Sequence, residues 1–340
     1  MGAVGASVLA RVSPLRASAS IRIATEYSQR SSAGKVLQNL AAALQDRAGI
    51  AVSLAFDQPD ADALLRELRE GRLALAWLGA DTLRHLSARL VSCHTPGHFL
   101  ETDALRSYCD RQTPTFRQQV DASGELRLLG HAELLHRRVL SIRPIRRPVD
   151  LQKWRVLVRP GDVMAEALRG RLGLTPVQAG LADWSALLAG GKADGALASA
   201  FEAQHWGLSP HLRYLNETPW SGAVGVMCAS TGAVSTLGSE SQRVLSQLAQ
   251  KACSLLESAV SLADTRALSD MRNRLSLVRW SSRQKRIWHE HLEQVRQALP
   301  AAYQPVGTTA PAPPKRRTSG PRLGPGYRLP GVDLKSVAPR

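Results

Sequence analysis

From Ser20 onward the sequence alternates short apolar runs with amphipathic helical ones, joined by brief polar connections, and few architectures accept that rhythm. The first run, SIRIATEY, reads as a strand. An amphipathic helix over residues 32–48 ends at Gly49, and the strand IAVSLAF follows. Asp60 and Asp62 open a second helix running to Gly71. The next run, LALAWLGA, is nearly all apolar, as a strand covered on both faces should be. Cys93 to Phe116 is less regular, mixing Pro and His before a helix near Asp103.

The stretch ELRLLGHAELLHRRVLSI then reads as one or two strands that carry the chain away from the first sheet. A second alternating set comes after it: the strand WRVLVRP, a helix from Asp162 to Gly173, a strand near Val177, a helix from Leu181 to Ala189, and the strand DGALAS. HLRYLNE and GAVGVMCAS lead back. From Ser239 the apolar positions Leu245, Leu248, Ala252, Leu255, Ala259 and Leu262 step by three and four, predicting a long helix that braces both halves. A last helix spans Ser282 to Leu299. With 340 residues there is material for two domains.

Net charge is concentrated in one internal segment and one tail. The formal total is +16, but residues 137–159 contribute +7 and the chain from Pro305 onward contributes +6, leaving about +3 elsewhere. The basic, Pro/Gly-rich segment 303–340 is expected to be disordered. From Lys315 to Arg340 it carries a single aromatic, Tyr327, and no nucleic-acid reading module, so it supports salt-sensitive adhesion at most. Residues 1–19 have the outline of a degenerate export leader: Arg11, Arg16, a weak apolar stretch and the small-residue sequence Ala17-Ser18-Ala19.

The remaining chemistry-bearing residues form no catalytic set. Cys93, Cys109, Cys228 and Cys253 make no CxxC pair, and whether any two are bridged is not legible from spacing. Cys93, His94 and His98 have tolerable metal spacing but no fourth ligand. His289 and His291 lie two apart on a helix and so face different ways. No GxSxG, HExxH, phosphate loop or GxGxxG occurs. Neither an enzyme activity nor a cofactor is expected.

The central segment RPIRRPVDLQKWRVLVRP, followed by LADWSALLAGGKADG, resembles the core signature of the solute-binding proteins of tripartite ATP-independent periplasmic (TRAP) transporters, DctP type. Arg143-Pro144-Ile145 and Asp150-Leu151 match its basic-Pro-Ile and Asp-Leu elements, with Lys153 where that family has Gly. Asp183, Ser185, Leu188, Gly191, Asp194 and Gly195 match the following helix and turn, the aromatic being shifted to Trp184. The resemblance implies an α/β, two-lobed periplasmic-binding-protein-like (type II) fold with a hinge, an inter-lobe ligand cleft and long C-terminal helices. Lobe I would take residues 20–134 with about 222–262, and lobe II residues 135–221 with about 263–302.

The resemblance also implies a role: capture of a small organic carboxylate by arginines in a closing cleft, and delivery to membrane permease subunits, by a periplasmic monomer. Its second arginine coincides with Arg137, while its principal arginine position holds Leu157. Arg159, two residues on and on the same face of the strand, is the substitute. A guanidinium suits the task because it offers a carboxylate a fixed fork of donors and stays charged when water is excluded. Glu26 and Tyr27 after the first strand, and Trp77 in the third, are candidates for the wall of lobe I, with a plain packing role as the competing reading for Tyr27 and Trp77. Trp184 and Trp220 are the counterparts in lobe II. Two other functions compete: a ligand-sensing subunit on the same fold, and a binder of nucleic acid or acidic surfaces through the basic tail.

Overall fold

The computed structural model describes residues 20–307, so the segment read as a leader and most of the basic tail lie outside the described residues. The tail's first residues do not behave as expected. Ala301–Tyr303 form a 3-10 turn, and the Gln304 carbonyl accepts a hydrogen bond from Arg89 Nη1 at 2.6 Å, so the folded chain runs past 303.

In chain order the elements are β1 (Ser20–Thr25), α1 (Ser32–Ala48), β2 (Ala51–Ala55), α2 (Ala61–Arg69), β3 (Leu75–Gly79), α3 (Ala88–Val91), α4 (Thr102–Asp121), β4 (Leu126–Ser141), β5 (Arg155–Val158) and α5 (Val163–Leu172). They continue with β6 (Thr175–Gln178), α6 (Trp184–Ala189), β7 (Gly195–Ala198), α7 (Ala200–His205), β8 (Tyr214–Asn216), β9 (Ser221–Ser230), α8 (Thr231–Ser235), α9 (Ser239–Arg274), β10 (Ser276–Val278) and α10 (Ser282–Ala298).

Local chemistry sets the helix ends. Ser31 accepts from the Gly34 N–H to start α1, and Gly49 closes it in the left-handed conformation at φ 61°, where a side chain would be strained. Asp60 starts α2 by accepting from Ala63, and Ser199 starts α7 through a reciprocal box with Glu202. The segment ELRLLGHAELLHRRVLSI, legible as one or two strands, forms one: β4 runs unbroken over 16 residues.

Strand order is β2-β1-β3-β9-β4-β7-β5-β6, with β8 also on β4 and β10 on β8. β1 pairs in parallel with β2 and β3, β5 in parallel with β6 and β7, and β9 and β4 lie antiparallel between the two sets. The N-terminal part of β4 pairs with β9 beside the first set, and its last four residues pair with β7 in the second. One strand therefore belongs to both lobes. Because β4 is antiparallel to both β9 and β7, the first and second parallel sets run in opposite senses. Their C-terminal ends, where open α/β sheets bind ligands, point at each other.

Four hydrophobic clusters fill the molecule. Two are built mainly from residues before 136 together with β9 and the first half of α9, among them Leu37, Leu44, Trp77, Leu245 and Leu256, with Phe201 of α7 reaching into one of them. The other two are built mainly from residues 139–220 with the end of α9 and α10, among them Trp154, Leu157, Met271 and Trp288. Within α9 the buried face differs from the expected one. Leu245 and Ala252 are buried as foreseen, but Leu255 and Leu262 are exposed while Leu256 and Val260 take the core. Adjacent aliphatics at 255–256 and 259–260 allow two helical phases, and packing against α1 and β4 selects one.

Candidate functional site

Each lobe delivers charged side chains to the facing strand ends. Glu26 follows β1, and Asp81 lies in the 3-10 turn that follows β3. From the second lobe, Arg159 follows β5, and Glu202 lies in the first turn of α7 after β7. Position explains the arginine shift. Leu157 is inside β5 and wholly buried among Leu140, Leu181 and Leu215, whereas Arg159 is the first residue past the strand and leaves the core.

Arg159 is the centre of the cluster. Its Nη1 lies 3.0 Å from Glu26 Oε1 and 3.2 Å from Oε2, its Nε 3.5 Å from Asp81 Oδ2, and its Nη2 3.6 Å from Glu202 Oε1. Glu26 and Asp81 belong to one lobe, Arg159 and Glu202 to the other. Arg137, on β4, places Nη2 3.5 Å from the same Asp81 Oδ2. Glu133 shares the Arg137 face of β4, four residues earlier, and accepts a hydrogen bond from the Tyr27 hydroxyl at 3.3 Å.

Burial governs the charge states. Burial would weaken the Arg159 charge, but Glu26, Asp81 and Glu202 outweigh it and hold the guanidinium's pKa well above its ordinary value. For Asp81, burial raises the carboxyl and the two arginines more than reverse this, leaving it below the usual carboxylate range. Glu26 is raised by burial, which Arg159 offsets only in part. Glu133 is raised well above its ordinary value by burial and then by Glu202, a shift that favours its neutral form beside Tyr27.

In front of Arg159 a cavity of about 530 Å³ opens between the lobes. Glu26, Asp81 and Arg159 line it, with Asp60 and Asp62 at the start of α2 on one side and Gly180–Asp183 on the other. Such a volume suits a small solute. Tyr27 and Trp77 stand behind this wall: their rings are 4.4 Å apart, and both are buried in the core of the first lobe. Arg137 is also set back, reaching the cluster through Asp81.

Two expected wall residues are elsewhere. Trp184 is packed in the core of the second lobe, its indole N–H donating to the Ala179 carbonyl at 2.9 Å. Trp220 packs edge-on against Trp288, which in turn stacks on Trp280. Neither lines the cavity, because α6 and the start of β9 turn these large rings into apolar cores. Cys93, His94 and His98 do not combine either. The Cys93 sulfur lies 3.7 Å from that of Cys109, and His94 Nε2 accepts from the Val224 N–H at 3.1 Å. All four cysteines are free and buried. Among the described residues no group of three or more His, Cys, Asp or Glu could hold a metal ion.

Sequence reasoning missed Asp81, Glu133 and Glu202. For Glu202 a signal existed: Ser199 and Glu202 have the spacing of a capping box, and the side chain caps with Oε2 while turning Oε1 toward Arg159.

The sequence profile of the DctP family, bacterial extracellular solute-binding protein, family 7, matches residues 23–304. The chain belongs to this family. Solved structures share the fold at low identity. A TRAP periplasmic solute-binding protein from Pseudomonas putida F1 with bound D-glucuronate superposes with a TM-score of 0.76 at 14% identity, over 84% of this chain and 94% of that one. One from Sulfitobacter sp. NAS-14.1 with bound β-D-galacturonate gives 0.75 at 13%, over 82% and 93%. One from Pseudomonas aeruginosa PAO1 with bound L-malate gives 0.75 at 14%, over 82% and 99%. No match emerged among curated protein sequences. This DctP-family chain therefore has the two-lobed type II fold, and its cavity occupies the inter-lobe position expected for a solute.

Proposed function

We propose that this DctP-family protein captures a small organic carboxylate between its lobes and hands it to the membrane subunits of a TRAP-type permease in the bacterial periplasm. The observation that carries the reading is Arg159: a guanidinium at the floor of the inter-lobe cavity, contacted by carboxylates of both lobes. A side chain touched from both sides senses whether the lobes are together, and a ligand on it couples binding to closure. Solutes carried by the structural neighbours support this, since glucuronate, galacturonate and malate all present a carboxylate. In this reading lobe I comprises residues 20–134 with about 222–262 and lobe II residues 135–221 with about 263–302, and β4, β9 and α9 form the passage between them.

Calorimetry on a panel of organic acids tests the proposal. Arg159→Ala should weaken binding of any captured acid about 100-fold, the order associated with truncating a buried, hydrogen-bonded charge pair. Equal affinity in the variant would rule out Arg159 as the anchor. Arg137→Ala should act more weakly, because Arg137 reaches the cavity only through Asp81.

A further inference from the structure

The cleft holds more negative than positive side chains, and its positive ones are already engaged. Arg84 is paired with Asp62 at 3.2 Å, Arg66 with Asp60 at 3.8 Å, and Arg159 with Glu26 and Asp81. Asp183 at the rim adds a fifth carboxylate against these three guanidiniums. Asp81 is 8% exposed, yet its Oδ1 has no hydrogen-bond partner among the described residues, while Oδ2 serves both Arg159 and Arg137. A buried acceptor is thus left over behind the cavity floor.

Consider a ligand that brings only a carboxylate. To take the Nη1 end of the Arg159 fork it must displace Glu26, whose two oxygens both sit on that nitrogen. Glu26 is 1% exposed, so the displaced carboxylate would remain buried without a counter-charge, a strongly unfavourable state. A ligand that also carries an ammonium avoids that state. Its carboxylate takes the guanidinium and its ammonium takes the released Glu26, with the free Oδ1 of Asp81 as a second acceptor. The order of charges then runs Arg159, ligand carboxylate, ligand ammonium, Glu26, and each buried charge keeps an opposite neighbour.

We infer that the solute of this cleft is a small zwitterion of the amino-acid kind, inserted between Arg159 and Glu26. This rests on the carboxylate reading above and narrows it. Glu26 selects for the ammonium, and Arg159 for the carboxylate. The inserted group must part the two lobes' contact and then restore it through itself, so the same exchange of partners that selects the ligand also makes closure depend on it.

The test uses the full chain and three matched sets of probes in calorimetry: the common L-amino acids, their α-hydroxy acid counterparts, and their decarboxylated amines. At least one amino acid should bind about 10-fold or more tighter than both its hydroxy acid and its amine, since each analogue leaves a buried charge without a partner. Glu26→Gln should remove most of the preference for amino acid over hydroxy acid, chiefly by improving the hydroxy acid. A hydroxy acid or simple dicarboxylate that binds the wild-type protein as tightly as any amino acid overturns the zwitterion while sparing the carboxylate reading. An amine that binds as well as its amino acid overturns the role of Arg159 as carboxylate site. If no probe binds either protein, both readings fall.

Discussion

The Arg159 guanidinium meets the Glu26 carboxylate head-on across the cleft, Nη1 lying 3.0 Å from Oε1, and solvent reaches only 11% of one side chain and 2% of the other. In so dry a place the two charges were costly to bury, and each depends on the other being present. The pair is therefore better understood as a device for register between lobes than as a source of net stability.

Removing one partner should expose that dependence. Arg159→Ala leaves Glu26 and Glu202 without their guanidinium, and a loss of about 3–5 kcal/mol in unfolding free energy is expected for breaking a buried pair from one side. Urea denaturation reads this directly. A loss below about 1 kcal/mol would mean that the interior relaxes enough to hydrate the orphaned carboxylates.

Gly79 ends β3 beside the cluster, and a Cβ placed on it would lie 2.5 Å from Asp81 Oδ1. Its φ of −63° is ordinary, so the obstacle is space and not backbone strain. Gly79→Ala should push the Asp81 carboxylate off its present position, cost about 1–3 kcal/mol as an overpacked site, and weaken ligand capture together with stability. Retained affinity in the variant would show that Asp81 does not shape the cavity floor.

Acid should weaken the fold through its buried histidines. Burial, followed by Arg137, pushes His94 down to about 3, and burial brings His98 and His136 down to about 4, against an ordinary value of 6.5. Folded-state values lie below unfolded ones, so between them the unfolded chain binds more protons. Stability is then complete above about pH 6.5 and declines as pH falls toward 4, by about 1.4 kcal/mol per pH unit for each histidine involved. His94→Gln, which keeps an acceptor for the Val224 N–H, should flatten the pH dependence of the urea midpoint. An unchanged slope would exclude His94 from it.

The tryptophans of the second lobe separate packing from binding. Trp220 is 2% exposed and wedged against Trp288, so Trp220→Ala should cost about 3–5 kcal/mol by cavity formation while leaving the affinity of the folded fraction intact. Loss of affinity in a variant that remains folded would return Trp220 to the site.

Much of this was legible in the chain. The alternation from Ser20 located every described strand but β10 and every described helix but the short α3, α7 and α8, because strand and helix periods differ and caps such as Ser31, Asp60 and Gly49 punctuate them locally. Glu26 could be named because it follows a strand whose end faces a cleft, and Arg159 because the family resemblance calls for an arginine beside Leu157. What stayed hidden was what depends on the third dimension. Asp81 and Glu133 look like any other acidic residue until β3 and β4 bring them to Arg159 and Arg137, and Trp184 and Trp220 look like wall residues until the cores claim them. Nor could spacing reveal that Glu26 faces the guanidinium from the opposite lobe.

The 36-residue α9 closes the account of how this chain is assembled. At about 1.5 Å per residue it spans about 54 Å, and its Leu245, Leu256 and Val260 lie in the same core as Ile23, Leu37 and Leu44 near the start. An emerging polypeptide that has not yet reached residue 245 has no lid for that core. The first lobe thus waits on residues more than 200 positions downstream, and its α1-side core is completed only after residues 245–260 have been made.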